Sequence, residues 1–177
     1  MNKKFLLVAI GMILCTSCGP KETKYDKLEI SKIESIWREG FGLLPCDFTR
    51  TVDFENNTVF DTKVGNLEYV KLDQMVENGS LTEEEKNTYN NPKTVTTFED
   101  EQEEKFIKKI KSLGIYTWKD RYVTDHGVSD GGNETLKIYF TDGTVKTTYF
   151  YFKYPSTYDK VCEAFVANFG VGMYLRW

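Results

Sequence analysis

One histidine, His126, lies in the run Asp125-His126-Gly127-Val128-Ser129-Asp130-Gly131-Gly132. Asp125, His126 and Ser129 are the residue types of a hydrolytic triad, in which an acid orients an imidazole that takes a hydroxyl proton. The glycines beside them can bring backbone N–H groups close to a substrate. Triad members are normally held by separate elements, however, and no Gly-x-Ser-x-Gly elbow is present. The favoured reading of this run is a polar, glycine-rich turn. Metal chemistry has no better footing. A single histidine and, beyond Cys15 and Cys18 near the amino terminus, two dispersed thiols, Cys46 and Cys162, offer no ligand spacing for a transition metal. The acidic run Glu99-Asp100-Glu101 lacks the alternating oxygen ligands of a calcium loop. A Cys162–His126 nucleophile pair would need an accessible, electropositive thiol, and Cys162 falls on an apolar stripe instead. No phosphate loop or dinucleotide fingerprint occurs, so no cofactor is expected.

Aromatic residues supply the better binding candidates. Tyr149, Phe150, Tyr151, Phe152 and Tyr154 cover both faces of one strand. Beside Tyr139 on the neighbouring strand, Phe150 and Phe152 would make an exposed platform for a sugar ring or a partner protein. Trp118 joins the same candidate set. The competing reading packs these rings beneath a helix or the long loop.

The elements that must position them are readable in part. Leu136, Ile138 and Phe140 recur every second residue, as in a half-buried strand. Asp142-Gly143 reads as a two-residue hairpin turn, which sets Phe140 opposite Val145, Ile138 opposite Thr147 and Leu136 opposite Tyr149. After Tyr154-Pro155, with Ser156 and Asp159 as a capping pair, Tyr158, Val161, Cys162, Phe165 and Phe169 form one helical stripe ended by Gly170. A second helix over 98–113, capped by Thr97 and Asp100, has an acidic first turn, a basic last turn and the stripe Phe106, Ile110, Leu113. Upstream, residues 28–37 read as a strand with a bulge, with a short helix as the alternative. Residues 39–42 read as a turn and 43–45 as an extended apolar patch. Phe48, Val52 and Phe54 alternate along a strand that carries Arg50 on its apolar face. Asn56-Asn57 turns the chain into Thr58-Val59-Phe60. Residues 64–96 show turn signals and a short helix start after Thr82, but no sustained period, and are the first place to look for a specificity loop. Val171, Met173, Leu175 and Trp177 alternate as a possible last strand.

The amino terminus carries an address. Asn2-Lys3-Lys4 precedes an apolar run over 5–14 that is too short to span a bilayer, then Thr16-Ser17-Cys18. Leu14-Cys15-Thr16-Ser17-Cys18 resembles the lipobox of bacterial lipoproteins, with Cys18 as the acylated first residue of the mature chain. The resemblance implies a signal peptide over 1–17, a tether over 18–27 and a single domain over 28–177. Removing the signal leaves 21 basic against 27 acidic residues, a formal charge of −6 in place of −4. That balance lacks the footprint for a phosphate backbone, so nucleic acid is not expected as a partner. With 15% aromatics the chain does not read as disordered, despite a mean hydropathy of −0.46. In an oxidising envelope, Cys46 and Cys162 are either a disulfide pair or two small buried hydrophobes.

A wider resemblance follows from the order lipobox, strand, Gly42-Leu43-Leu44-Pro45-Cys46, long loop, acidic-to-basic helix, Trp118/Tyr122, Asp130-Gly131-Gly132, the 136–143 strand with its Asp-Gly, and Tyr154-Pro155. It resembles a group of uncharacterised Bacteroidetes lipoproteins and a domain of unknown function in secreted bacterial proteins. The resemblance rests on turns and core positions and implies an α+β fold and an envelope location, but no catalytic residue. The expected architecture is one α+β domain, an antiparallel sheet against two helices in the order βββ-α-ββ-α. The expected function is a non-enzymatic lipoprotein, membrane-bound through Cys18 in the outer membrane (periplasmic or surface-facing), that binds a glycan or envelope protein. The alternatives are a hydrolase using the His126 loop and an inhibitor or immunity-type protein binding a basic partner.

Overall fold

A computed structural model describes residues 22–38, 46–65, 72–80, 82–87, 91–125 and 132–173. In chain order these form β1 (Ile30–Arg38), β2 (Cys46–Asp53), β3 (Thr58–Gly65), α1 (Leu72–Glu77), α2 (Glu83–Asn87), β4 (Lys93–Thr97), α3 (Asp100–Ser112), β5 (Arg121–Val123), β6 (Asn133–Phe140), β7 (Val145–Tyr151) and α4 (Tyr158–Phe169). The strands make one sheet in the order β4-β3-β2-β1-β6-β7-β5. Every neighbouring pair is antiparallel except β5 with β7. The protein is therefore a single α+β domain. To the expected order it adds the edge strands β4 and β5 and the short helices α1 and α2.

The helices α3 and α4 cover one face of the sheet. Phe106, fully buried, is the centre of that layer, with ring centroids 4.7 Å from both Phe165 and Phe169 and 6.2 Å from Phe54. Ile33, Val52, Val59, Leu136, Ile138 and Phe140 meet these rings from the sheet. The α4 stripe lies as its spacing predicts, with Tyr158, Val161, Phe165 and Phe169 buried and Gly170 ending the helix at φ 70°. The start of α3 differs from expectation, because Glu99 rather than Thr97 caps it. Its backbone N–H donates to Gln102 Oε1 at 2.9 Å, and Gln102 Nε2 donates to the Asn168 carbonyl at 2.7 Å, which ties the start of α3 to the end of α4. Asp100 instead accepts from Asn57 Nδ2 at 2.7 Å.

The central hairpin corrects the expected register by one residue. Phe140 N–H donates to the Thr144 carbonyl at 2.9 Å, and Gly143 N–H to the Phe140 carbonyl at 3.0 Å, with Gly143 at φ 84°. This is a three-residue loop with glycine in the left-handed position, not a two-residue turn. Tyr139 consequently faces Val145, Ile138 faces Lys146, Leu136 faces Thr148 and Glu134 faces Phe150. A one-residue slip exchanges the two faces of a strand. Lys146, Thr148 and Phe150 enter the core, and Val145, Thr147 and Tyr149 move to the other side.

Two more expectations meet the structure directly. The bulge in β1 appears as a register shift between Ile30 and Lys32. Arg50 does sit on the covered face, held bidentately by Asp61 on β3 through Nε at 2.7 Å and Nη2 at 2.8 Å, and it also donates to the Gly172 carbonyl. Within the stretch expected as a tether, Thr23 Oγ1 donates to Asp26 Oδ2 at 2.8 Å, and Tyr25 stacks on Phe140 with centroids 5.4 Å apart. Residues 171–173 form no strand, although Met173 is buried. The signal segment with Cys18, residues 39–45, the His126 run from 126 to 131, and Leu175 and Trp177 lie outside the described residues.

Candidate functional site

A concavity lies at the β5 edge, where three pieces of chain meet, the first two of them consecutive. The end of α3 and the following 3-10 turn supply Leu113, Thr117 and Trp118. Lys119 and β5 supply the middle, with Arg121 and Tyr122. The segment between β7 and α4 supplies Lys153, Tyr154 and Ser156. Together they enclose a cleft of about 710 Å³. That is the size range of a small-ligand site.

Its wall is a set of rings gathered around Phe150. Phe150 lies 5.8 Å from Tyr122, 5.5 Å from Tyr154 and 5.9 Å from Trp118, centroid to centroid. The rings are pinned from behind by polar groups. Trp118 Nε1 donates to Thr157 Oγ1 at 3.0 Å. Buried Lys146 donates from Nζ to the Trp118 carbonyl at 2.8 Å, with Asp120 3.8 Å away. Burial holds the Lys146 pKa below the ordinary lysine value, and the Asp120 charge opposes that shift. Buried Glu134 accepts from Tyr154 at 3.2 Å and from Tyr158 at 2.8 Å, so the Tyr154 ring is held at its hydroxyl as well as its face. Burial, then the Glu134 charge, push the Tyr158 phenol far above its usual range, and it stays a donor to that carboxylate.

The third segment begins next to one residue in a strained conformation. Phe152 has φ 52°, a conformation costly for a bulky side chain, and stands 47% exposed. It stands directly after the last residue of β7 and before Lys153 and Tyr154, which line the cleft. Among the described residues, charge in the lining is all of one sign, namely Lys119, Arg121 and Lys153. Lys153 Nζ has Asp125 3.9 Å away, with both side chains largely exposed, and such a pair is easily exchanged for a ligand anion. Cations, ring faces and the hydroxyls of Ser156 and Thr157 are groups that bind an anion attached to a ring.

The expected aromatic platform does not form. Phe150 is 1% exposed and Trp118 is 5% exposed, both in the ring cluster, whereas Tyr139 lies on the opposite face of the sheet. The register shift is the reason, since it turns Phe150 away from the Tyr139 side. Phe152 alone of the four is exposed. Tyr139 donates to Glu34 Oε2 at 2.6 Å with Lys32 Nζ 4.2 Å from its ring, a surface trio rather than a pocket. Cys162 is a free, half-buried thiol whose pKa burial pushes up to about 11, which leaves it protonated and unreactive at neutral pH; the side chain of Cys46 lies outside the described residues. Among the described residues no group of three or more His, Cys, Asp or Glu gathers as for a metal, and no helix is long and apolar enough to cross a membrane.

Sequence reading missed Lys119, Arg121, Lys153 and Tyr154 as a set. The available signal was the interleaving of cations with Trp118, Tyr122 and Tyr154, in two segments some thirty residues apart. No protein-family model, curated protein or solved structure matches this chain.

Proposed function

We propose that this chain is a lipoprotein of the cell envelope, acylated at Cys18 like the Bacteroidetes lipoproteins it resembles, and that it binds a ligand rather than transforming one. The ligand we assign to the β5-edge cleft is an acidic carbohydrate. One observation carries this choice: among the described residues every charged residue lining the cleft is cationic, in a protein whose net charge is −4, and the cations stand beside pinned aromatic rings. A ring face stacks on Tyr122 or Tyr154 while a carboxylate takes Lys119 and Lys153; the Arg121 guanidinium, 5.3 Å from the Tyr149 ring on the other face of the sheet, stays at the rim.

Calorimetric titration of the protein with trigalacturonate and with a neutral trisaccharide tests the assignment. Binding of the acidic sugar alone, weakened at least tenfold by Lys153→Glu, is the expected result. Equal affinity for both sugars, or no binding to either, would sink it.

A further inference from the structure

A second groove runs between α3 and α4, about 570 Å³ in volume, and its charged lining is Lys105, Lys109 and Lys160 against Glu163. Leu113 lines this groove and also lines the β5-edge cleft. Lys105, Lys109 and Leu113 succeed one another at intervals of four residues, so they form one ridge along the α3 side of the groove, leading to the cleft. The two concavities therefore adjoin at Leu113, and among the described residues the lining of both holds six cations to one acid.

This concentration is set against the rest of α3. Its first turn carries Asp100, Glu101 and Glu103, and the charges of Asp100, Glu29 and Glu104 add to partial burial in raising the Glu103 pKa. The acids crowd at one end of the helix while Lys109 and Lys111 occupy the last turn. A small acidic sugar needs only the cleft. Three further lysines in a continuous groove suit a ligand with charge repeated along its length.

We infer that cleft and groove form one track for an extended acidic polysaccharide, with the cleft taking one acidic ring and the α3–α4 groove taking the following repeats. The inference rests on the cleft reading proposed above. Lys105 gives up only an exposed pairing with Glu101 at 2.8 Å to engage the polymer. Binding many like charges at once makes affinity steeply salt-dependent and length-dependent.

The test compares trigalacturonate with long-chain polygalacturonate on the full mature protein. The wild type is expected to bind the polymer at least tenfold more tightly per chain than the trimer, with a steeper fall as salt is raised. Lys105→Glu with Lys109→Glu and Lys160→Glu should abolish that gain and leave trimer affinity within about twofold. The Gln versions of the three substitutions should give the same pattern more weakly, should the charge reversals unfold α3. Equal affinity for trimer and polymer, or polymer binding untouched by the triple variants, overturns the track and leaves the cleft standing. Failure to bind either uronate overturns the cleft reading itself. Binding to phosphatidylglycerol vesicles but to neither uronate would overturn both in favour of a membrane surface.

Discussion

The two faces of the β6–β7 hairpin share one backbone and follow different rules. On the face beneath α3 and α4, Glu134, Lys146 and Thr148 are as thoroughly buried as Leu136, Ile138 and Phe140, and the two charged groups have named partners at hydrogen-bond distance. On the other face, Lys137, Tyr139, Thr147 and Tyr149 remain half or fully open. A charge can enter the covered face only with its partners already in place, because an unpaired buried charge costs several kcal/mol. The difference teaches that the polar groups of the covered face serve position. They fix the rings whose outer edges form the cleft.

The comparison breaks first at the apolar centre. Phe106→Ala removes the ring that Phe54, Phe165 and Phe169 all touch, and should cost about 3–5 kcal/mol in chemical unfolding. A loss below about 1 kcal/mol would mean that the helix layer is not the source of stability. Substitutions at exposed Thr147, on the open face, should stay within about 0.5 kcal/mol.

Legibility in the sequence follows the same division. The α4 stripe was readable because four large side chains at helical spacing have one packing solution, and α3 because its charges match its dipole. The hairpin was readable as a hairpin but not in register. Asp-Gly serves a two-residue turn and a three-residue loop equally well, and only the hydrogen bond from Phe140 N–H to the Thr144 carbonyl decides. That single ambiguity moved Phe150 from an imagined platform into the core. The strand β4 escaped notice because Lys93-Thr94-Val95-Thr96-Thr97 is an edge strand with mostly exposed side chains and so no apolar alternation. The cleft escaped because its residues come from 113–123 and 153–157, and nothing local marks those segments as neighbours.

A smaller effect of opposite sign sharpens the rule of paired burial. The Tyr116 hydroxyl is buried and finds no hydrogen-bond partner among the described residues. Burial, with help from the Asp26 charge, pushes its pKa well above the phenol range. Deleting that oxygen leaves the packing against Phe140 intact and removes a desolvation cost. Tyr116→Phe should therefore stabilise the protein by about 1 kcal/mol. A destabilisation of the same size in urea unfolding would show that the hydroxyl has a partner.

The smallest effect belongs to the open face, and it is better read by titration than by unfolding. Tyr139 is pushed above the phenol range first by partial burial, then by its hydrogen bond to Glu34 and the charge of that carboxylate. A tyrosine whose folded pKa is raised keeps its proton in the folded state while the unfolded chain loses it, so its stabilisation is complete below about pH 10 and disappears as pH climbs toward the folded value. Glu34→Gln removes the charge and leaves burial in place. The Tyr139 pKa should then fall only part of the way back, and the alkaline loss of stability attributable to Tyr139 should shrink, while stability at neutral pH changes by less than about 1 kcal/mol. Ultraviolet titration of tyrosinate, compared with the same measurement on Tyr139→Phe to assign the signal, separates the two causes. An unchanged Tyr139 titration in Glu34→Gln would mean that burial alone sets its pKa, and the open face would then resemble the covered one more than its exposure suggests.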